Sequence, residues 1–191
     1  MTGIVPVVLL AAFLNADPET GLQVGDPVPQ FEATADSGKT WKSEEHVGEK
    51  VLVIYFYPAD LTGGCTAQAC AFRDAGPELK EAGVEVVGVS GDSVENHRIF
   101  KKAHQLNFTL LADEQGKLAK LFGVPTKAGG EIVRPIEGED VTLTRGMTAS
   151  RWTFVIGPDG NIVYRDTNVK PAEDAKQVLK VISKLKQERS E

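Results

Sequence analysis

The chain has 191 residues, 41% of them hydrophobic and 25% charged, the make-up of one globular domain with an ordinary core. A net charge of −6, with Lys and Arg scattered rather than clustered, argues against nucleic acid or an anionic membrane as partner. Two cysteines are too few for a secreted disulfide scaffold, and His46, His97 and His104 lack zinc-site spacing, so no metal or cofactor is expected and redox chemistry is the simplest use for the thiols.

In chain order, Ile4 to Leu14 is an apolar run of signal-peptide length, too short to span a bilayer. It predicts a signal over residues 1–16, cut after Ala16, and an exported, periplasmic domain over 17–191 without stable membrane association. Against this, no Lys or Arg precedes Lys39, Pro6 interrupts the run, and Leu14 stands where a small residue is usual. A misassigned start, a docked N-terminal strand and a cytoplasmic protein are the alternatives.

After a Pro- and Gly-rich lead-in, Phe31 to Ala35 and Lys39 to Trp41 predict a small hairpin around Asp36-Ser37-Gly38. Lys50 to Tyr57 is a continuous apolar and aromatic run, the pattern of a strand covered on both faces. Gly64 to Glu81 turns helical, and Val84 to Ser90 is again a buried strand, which implies a parallel crossover. A helix over Ser93 to Gln105, a strand over Phe108 to Ala112 and a helix over Lys117 to Phe122, ended by Gly123, continue the alternation.

Thr126 to Ser150 breaks that rhythm, and Glu131 to Ile136 with Val141 to Arg145 predict an inserted hairpin. Trp152 to Ile156 and Ile162 to Tyr164 form another around Gly157-Pro158-Asp159-Gly160, and Pro171 to Glu188 closes as an amphipathic helix. The sum is an α/β fold, a central mixed sheet of about five main strands flanked by about four helices. Such sheets place their sites at the carboxyl ends of the strands, where Cys65 falls.

If Thr62 caps the helix, Gly63, Gly64 and Cys65 are its first three positions, whose amides lack intrahelical acceptors. A helix start favours a thiolate and offers donors to a bound oxygen, so nucleophile and binding cradle coincide at Cys65.

The pattern Pro58-x-x-x-Thr62-x-x-Cys65, with Cys70 five residues on, resembles the active-site motif of the peroxiredoxins, in particular the peroxiredoxin Q or bacterioferritin-comigratory subgroup. The resemblance continues through Ala71 to Asp74, Gly88 to Ser93, His97, Phe108 to Asp113 and Arg151 to Gly160, and covers nearly all of Leu22 to Lys186. It implies a thioredoxin-like fold and reduction of hydrogen peroxide and organic hydroperoxides. Cys65 would be the peroxidatic cysteine, and Cys70 the resolving cysteine that closes an intramolecular disulfide. Thr62, Gly64, Cys65 and Arg151 would bind the peroxide, and Pro58 would shield the thiolate from water. A thioredoxin-like dithiol protein would recycle the enzyme, and a monomer is expected.

On an intact helix, residues five apart have Cα atoms roughly 8 to 9 Å apart, beyond the limit of about 7 Å for a disulfide, so the turn between Cys65 and Cys70 must unwind in each cycle. The subgroup commonly has Pro where this chain has Gly63, and the Thr126 to Ser150 segment is longer than its counterpart there. Plainer roles stay open at this stage: Cys70 as a static thiol, Thr62 as a cap, Pro58 as a strand terminator, Arg151 in a surface ion pair, His97 in packing, and the inserted segment as a surface loop. A disulfide oxidoreductase is disfavoured because the spacing is not Cys-x-x-Cys. Copper delivery through two thiolates and a distant histidine is the alternative function, with a cysteine spacing usually one residue shorter.

Overall fold

The computed structural model describes residues 21–48 and 50–188; the Ile4 to Leu14 run and the cut expected after Ala16 lie outside them. Glu32–Ala35 (β1) and Thr40–Lys42 (β2) form the small hairpin, with Gly38 at a φ of +82° that favours glycine. The apolar run supplies Val51–Phe56 (β3). The single helix expected to Glu81 is two, Gly63–Asp74 (α1) and Gly76–Glu81 (α2). Pro77 explains the break, since a proline lacks an N–H and its ring crowds the preceding turn, whereas at a helix start it is tolerated.

Val84–Ser90 (β4), Val94–His104 (α3), Thr109–Ala112 (β5) and Lys117–Phe122 (α4) follow as the patterning predicts. Thr126–Ile136 (β6) and Glu139–Ala149 (β7) make a hairpin longer than expected, with a turn of only Glu137 and Gly138, both at positive φ as its twist requires. Trp152–Ile156 (β8), Ile162–Asp166 (β9) and Asp174–Glu188 (α5) complete the fold, with Pro171–Glu173 forming a 3-10 turn ahead of α5.

Among the described residues the main sheet has seven strands in the order β2-β1-β5-β4-β3-β8-β9, against about five expected, because β1 pairs antiparallel with β5 and brings the small hairpin into the sheet. Strand β3 runs parallel to β4 and antiparallel to β8, so the sheet is mixed. Alternate residues of β3 feed two cores. Leu52, Ile54 and Phe56 pack in one with Leu118, Ala119 and Phe122 of α4 and Met147 and Ala149 of β7. Val53 and Tyr55, with Tyr57 beyond the strand, pack in the other with Ala69 and Phe72 of α1 and Ala175, Val178 and Ile182 of α5. Burying each large side chain contributes about 1.5–3 kcal/mol, which is why an uninterrupted apolar run becomes the central strand.

The β6–β7 hairpin is seated on the carboxyl edge of this sheet. The Gly146 N–H donates to the Gly91 carbonyl at 2.9 Å, and a Cβ added at Gly91 would lie 2.1 Å from the Met147 carbonyl oxygen. Only glycine permits that approach.

Candidate active site

Residues Tyr57 to Thr62 connect the end of β3 to α1, and Thr62 holds the extended N-cap backbone at φ −96° and ψ 149°. Its hydroxyl does not cap the helix. It donates to the Ala59 carbonyl at 2.9 Å and so ties the loop to itself. Gly63, Gly64 and Cys65 occupy the first helical turn, whose amides have no intrahelical acceptor, and the first helical bond shown runs from the Thr66 N–H to the Thr62 carbonyl. Pro58 is half-buried at the head of the loop. Cys65 and Cys70 are both free thiols on the unbroken α1, Cys65 buried and Cys70 half-buried.

Antiparallel pairing brings Arg151 to this point from 86 residues away. Phe56 at the end of β3 pairs with Trp152 at the start of β8, so the residue before β8 lies at the sheet edge that α1 leaves. Thr153 stands opposite Tyr55, on the face that packs against α1, and Arg151, two positions earlier, shares that face. Arg151 Nη2 donates to Cys65 Sγ at 3.2 Å. A Cβ at Gly64 would lie 3.4 Å from the same nitrogen, so the bare glycine leaves room for the guanidinium beside the sulfur.

Behind the guanidinium runs a buried polar chain that sequence patterning does not reveal. Arg151 Nη1 donates to Gln68 Oε1, and Gln68 Nε2 donates to Asp174 Oδ2 at 2.7 Å. Thr153 Oγ1 donates to the same carboxylate oxygen at 2.8 Å. Burial pushes the Asp174 carboxyl up to about 6, while the Gln68 and Thr153 hydrogen bonds and the Arg151 charge oppose the rise. Gln68, three residues after Cys65, could have been found from helical spacing; Asp174 and Thr153 carry no such signal.

A second network fixes the loop. Asp60 accepts from the Tyr57 hydroxyl at 2.7 Å and pairs with His97 Nδ1 at 2.8 Å, while its N–H donates to Asp92 Oδ2 at 3.0 Å. Asn96 Nδ2 bridges Asp92 and the Thr144 carbonyl of β7. Burial alone would lower the His97 pKa, but the Asp60 charge and hydrogen bond outweigh it and the value is raised. His97 therefore packs in the core with an ion-pair partner. His46 meets Glu85 at 2.9 Å and stacks on Trp41.

Leu61 adopts a φ of +55°, unusual for a side chain of its size, and its carbonyl accepts from Arg134 Nε of β6 at 3.0 Å. The inserted segment is thus pinned to the loop that precedes Cys65.

The AhpC/TSA family model matches residues 24–165. A chloroplastic peroxiredoxin Q of Sedum lineare is 38% identical over 85% of this chain and 78% of its own, and peroxiredoxin Bcp of Bacillus subtilis is 34% identical over 86% and 97%. Among solved structures, peroxidoxin BcpB from Mycobacterium tuberculosis has a TM-score of 0.71 at 29% identity, covering 85% of this chain and 97% of its own. The bacterioferritin comigratory protein of Xanthomonas campestris, whose trapped intermediate and ligand complexes concern alkyl peroxide reduction, has a TM-score of 0.66 at 30% identity, covering 81% and 90%. These relatives give the copper-delivery reading no support, and among the described residues no helix is long and apolar enough to cross a membrane. Because the likeness runs through most of the chain rather than through one motif, the chain belongs to the AhpC/TSA family, in its peroxiredoxin Q/Bcp group, and is a thiol-dependent peroxidase.

Proposed function

We propose that Cys65 is the peroxidatic cysteine, that Cys70 resolves it, and that hydrogen peroxide and organic hydroperoxides are the substrates. The observation that carries this is the Arg151 guanidinium 3.2 Å from the Cys65 sulfur, at a helix start whose first amides have no intrahelical acceptor. The Cys65 thiolate attacks one peroxide oxygen, the O–O bond breaks, and the departing oxygen takes a proton to leave as water or an alcohol; Cys65 becomes a sulfenic acid. The Thr62 hydroxyl proton is committed to Ala59, so its oxygen acts as acceptor for the peroxide O–H. Gly64 and Cys65 amides and Arg151 receive the charge that develops on oxygen, and Pro58 covers the loop side of the thiolate. The alkyl peroxide chemistry of the Xanthomonas relative supports organic substrates.

Cys70 then attacks the sulfenic sulfur, the S–S bond forms and water leaves. Both cysteines lie within the unbroken α1, so this step requires the turn between them to unwind. A dithiol protein of the thioredoxin kind reduces the disulfide and is itself oxidised, and the working unit is a monomer.

In the deciding experiment, stoichiometric hydrogen peroxide is added to the reduced protein. Both thiols are consumed, Cys65→Ser abolishes the reaction, and Cys70→Ser accumulates a sulfenic acid that dimedone traps. Peroxide consumption by Cys65→Ser at the parent rate overturns the assignment. The Ile4 to Leu14 run supports export with a cut after Ala16 and a mature domain of 17–191. N-terminal sequencing of protein recovered from periplasm and cytoplasm tests this, and an intact terminus in the cytoplasm alone rejects it.

A further inference from the structure

Asp174, the first residue of α5, is 2% exposed and 106 residues from the Gln68 amide that it holds. One carboxylate oxygen, Oδ2, accepts from both Gln68 and Thr153, whereas Oδ1 is buried without a hydrogen-bond partner among the described residues. A buried, half-partnered carboxylate is costly, so its position calls for an explanation beyond packing. Gln68 has two roles that meet here. Its oxygen takes the Arg151 nitrogen next to the one facing Cys65, and its backbone lies between Cys65 and Cys70, in the turn that must unwind.

We propose that Asp174 is a positioning residue and a latch on α1. By accepting the Gln68 N–H it turns the amide oxygen toward Arg151, and by anchoring Gln68 to α5 it holds the Cys65 to Cys70 turn wound until the sulfenic acid has formed. The proposal rests on the assignment of Cys65 and Cys70 above.

The latch is charge-dependent. A carboxylate is a stronger acceptor than a neutral acid, so Gln68 is gripped most firmly when Asp174 is ionised. Ionisation falls around pH 6, where burial has moved the group. The charged and titratable groups that face it are Arg151, Asp166 of β9, and the Tyr55 and Tyr164 phenols, both of which stay neutral across this range with pKa values raised by burial. Arg151 keeps its charge throughout, while Asp174 changes state near pH 6.

The test follows the two steps separately in the full-length protein, by stopped-flow loss of peroxide and by the first-order appearance of disulfide. Asp174→Asn keeps the shape but removes the charge. Disulfide formation is expected to speed up about 10-fold at a pH of about 7.5, the scale of a lost charge-assisted hydrogen bond. The advantage over the parent should shrink toward unity at about pH 5, where the parent carboxyl is neutral as well. Gln68→Ala should show the same acceleration, and Asp174→Asn combined with Gln68→Ala should add nothing to it. Disulfide formation in Asp174→Asn at the parent rate at both pH values overturns the latch, as does an advantage that does not change with pH. Cys65→Ser run alongside separates the two readings: unimpaired peroxide loss in that variant removes the site assignment and the latch together. A dead Cys65→Ser beside an unchanged Asp174→Asn removes the latch alone.

Discussion

At Arg151 a single guanidinium faces two partners, Cys65 through Nη2 and Gln68 through Nη1. The planar fork makes that possible, and a lysine ammonium on a flexible stem does not reproduce it. Arg151→Met should slow oxidation of Cys65 by hydrogen peroxide by about 10²–10³-fold, the scale of losing one preorganised oxyanion donor. Arg151→Lys should recover only part of this, and stopped-flow thiol consumption measures both; a lysine variant at the parent rate would show that charge alone suffices. Arg151 was legible in the sequence because it belongs to a recognisable motif, as do Pro58, Thr62 and Cys65. Asp174 was not, because the helix-start position that a sequence does reveal says nothing of which buried side chain it will meet.

At the scale of the element, α1 must be stable enough to present Cys65 and weak enough to open. Gly63 occupies its first helical position, where no intrahelical hydrogen bond depends on the N–H, and a Cβ there would meet nothing within 4 Å among the described residues. Thr62 already has the extended backbone that a following proline demands. Gly63→Pro should therefore fit without strain and stabilise the wound helix by about 0.4–1 kcal/mol, chiefly by restricting the unfolded chain. Disulfide formation should slow by about two- to five-fold while peroxide loss keeps its parent rate. A variant that resolves as fast as the parent would remove Gly63 from the control of unwinding. The helix start was readable from Thr-Gly-Gly, but the hydroxyl of Thr62 turned to Ala59 instead of the helix. The loop's own fold chose that partner, and local propensity does not encode it.

Over the whole molecule, the Asp60–His97 pair ties the active-site loop to α3, and Asp92 carries the connection on to Asn96 and the β7 backbone. Both partners are fully buried, so removing one leaves an uncompensated group. His97→Gln should cost about 3–5 kcal/mol at a pH of about 6. Because the folded-state pKa of His97 lies above its ordinary 6.5, the stability from the charged pair is fully present below 6.5 and is lost as pH rises through the folded value. Urea unfolding of parent and variant at about pH 6 and about pH 9 should thus show the gap narrowing toward alkaline pH. A gap of constant size would mean that the pair is held together in a single protonation state throughout.

Local pattern decided the order of strands and helices, the buried central strand and the helix start at Cys65, because periodicity, caps and breakers act within a few residues. The same local information joined Gly64 to Glu81 into one helix and left the small hairpin outside the sheet, where Pro77 and the β1–β5 pairing settled the matter otherwise. The match to a family motif named the chemistry. Only tertiary structure decided what stands behind it: the Phe56–Trp152 register that sets Arg151 beside Cys65, the α5 terminus that delivers Asp174 to Gln68, and the hairpin arginine that holds Leu61. Those contacts join residues tens of positions apart, and they form because a mixed sheet with both faces covered brings strand ends together at one edge. Sheet pairing of that kind is set by burial and register across the whole fold, which no short window of sequence contains.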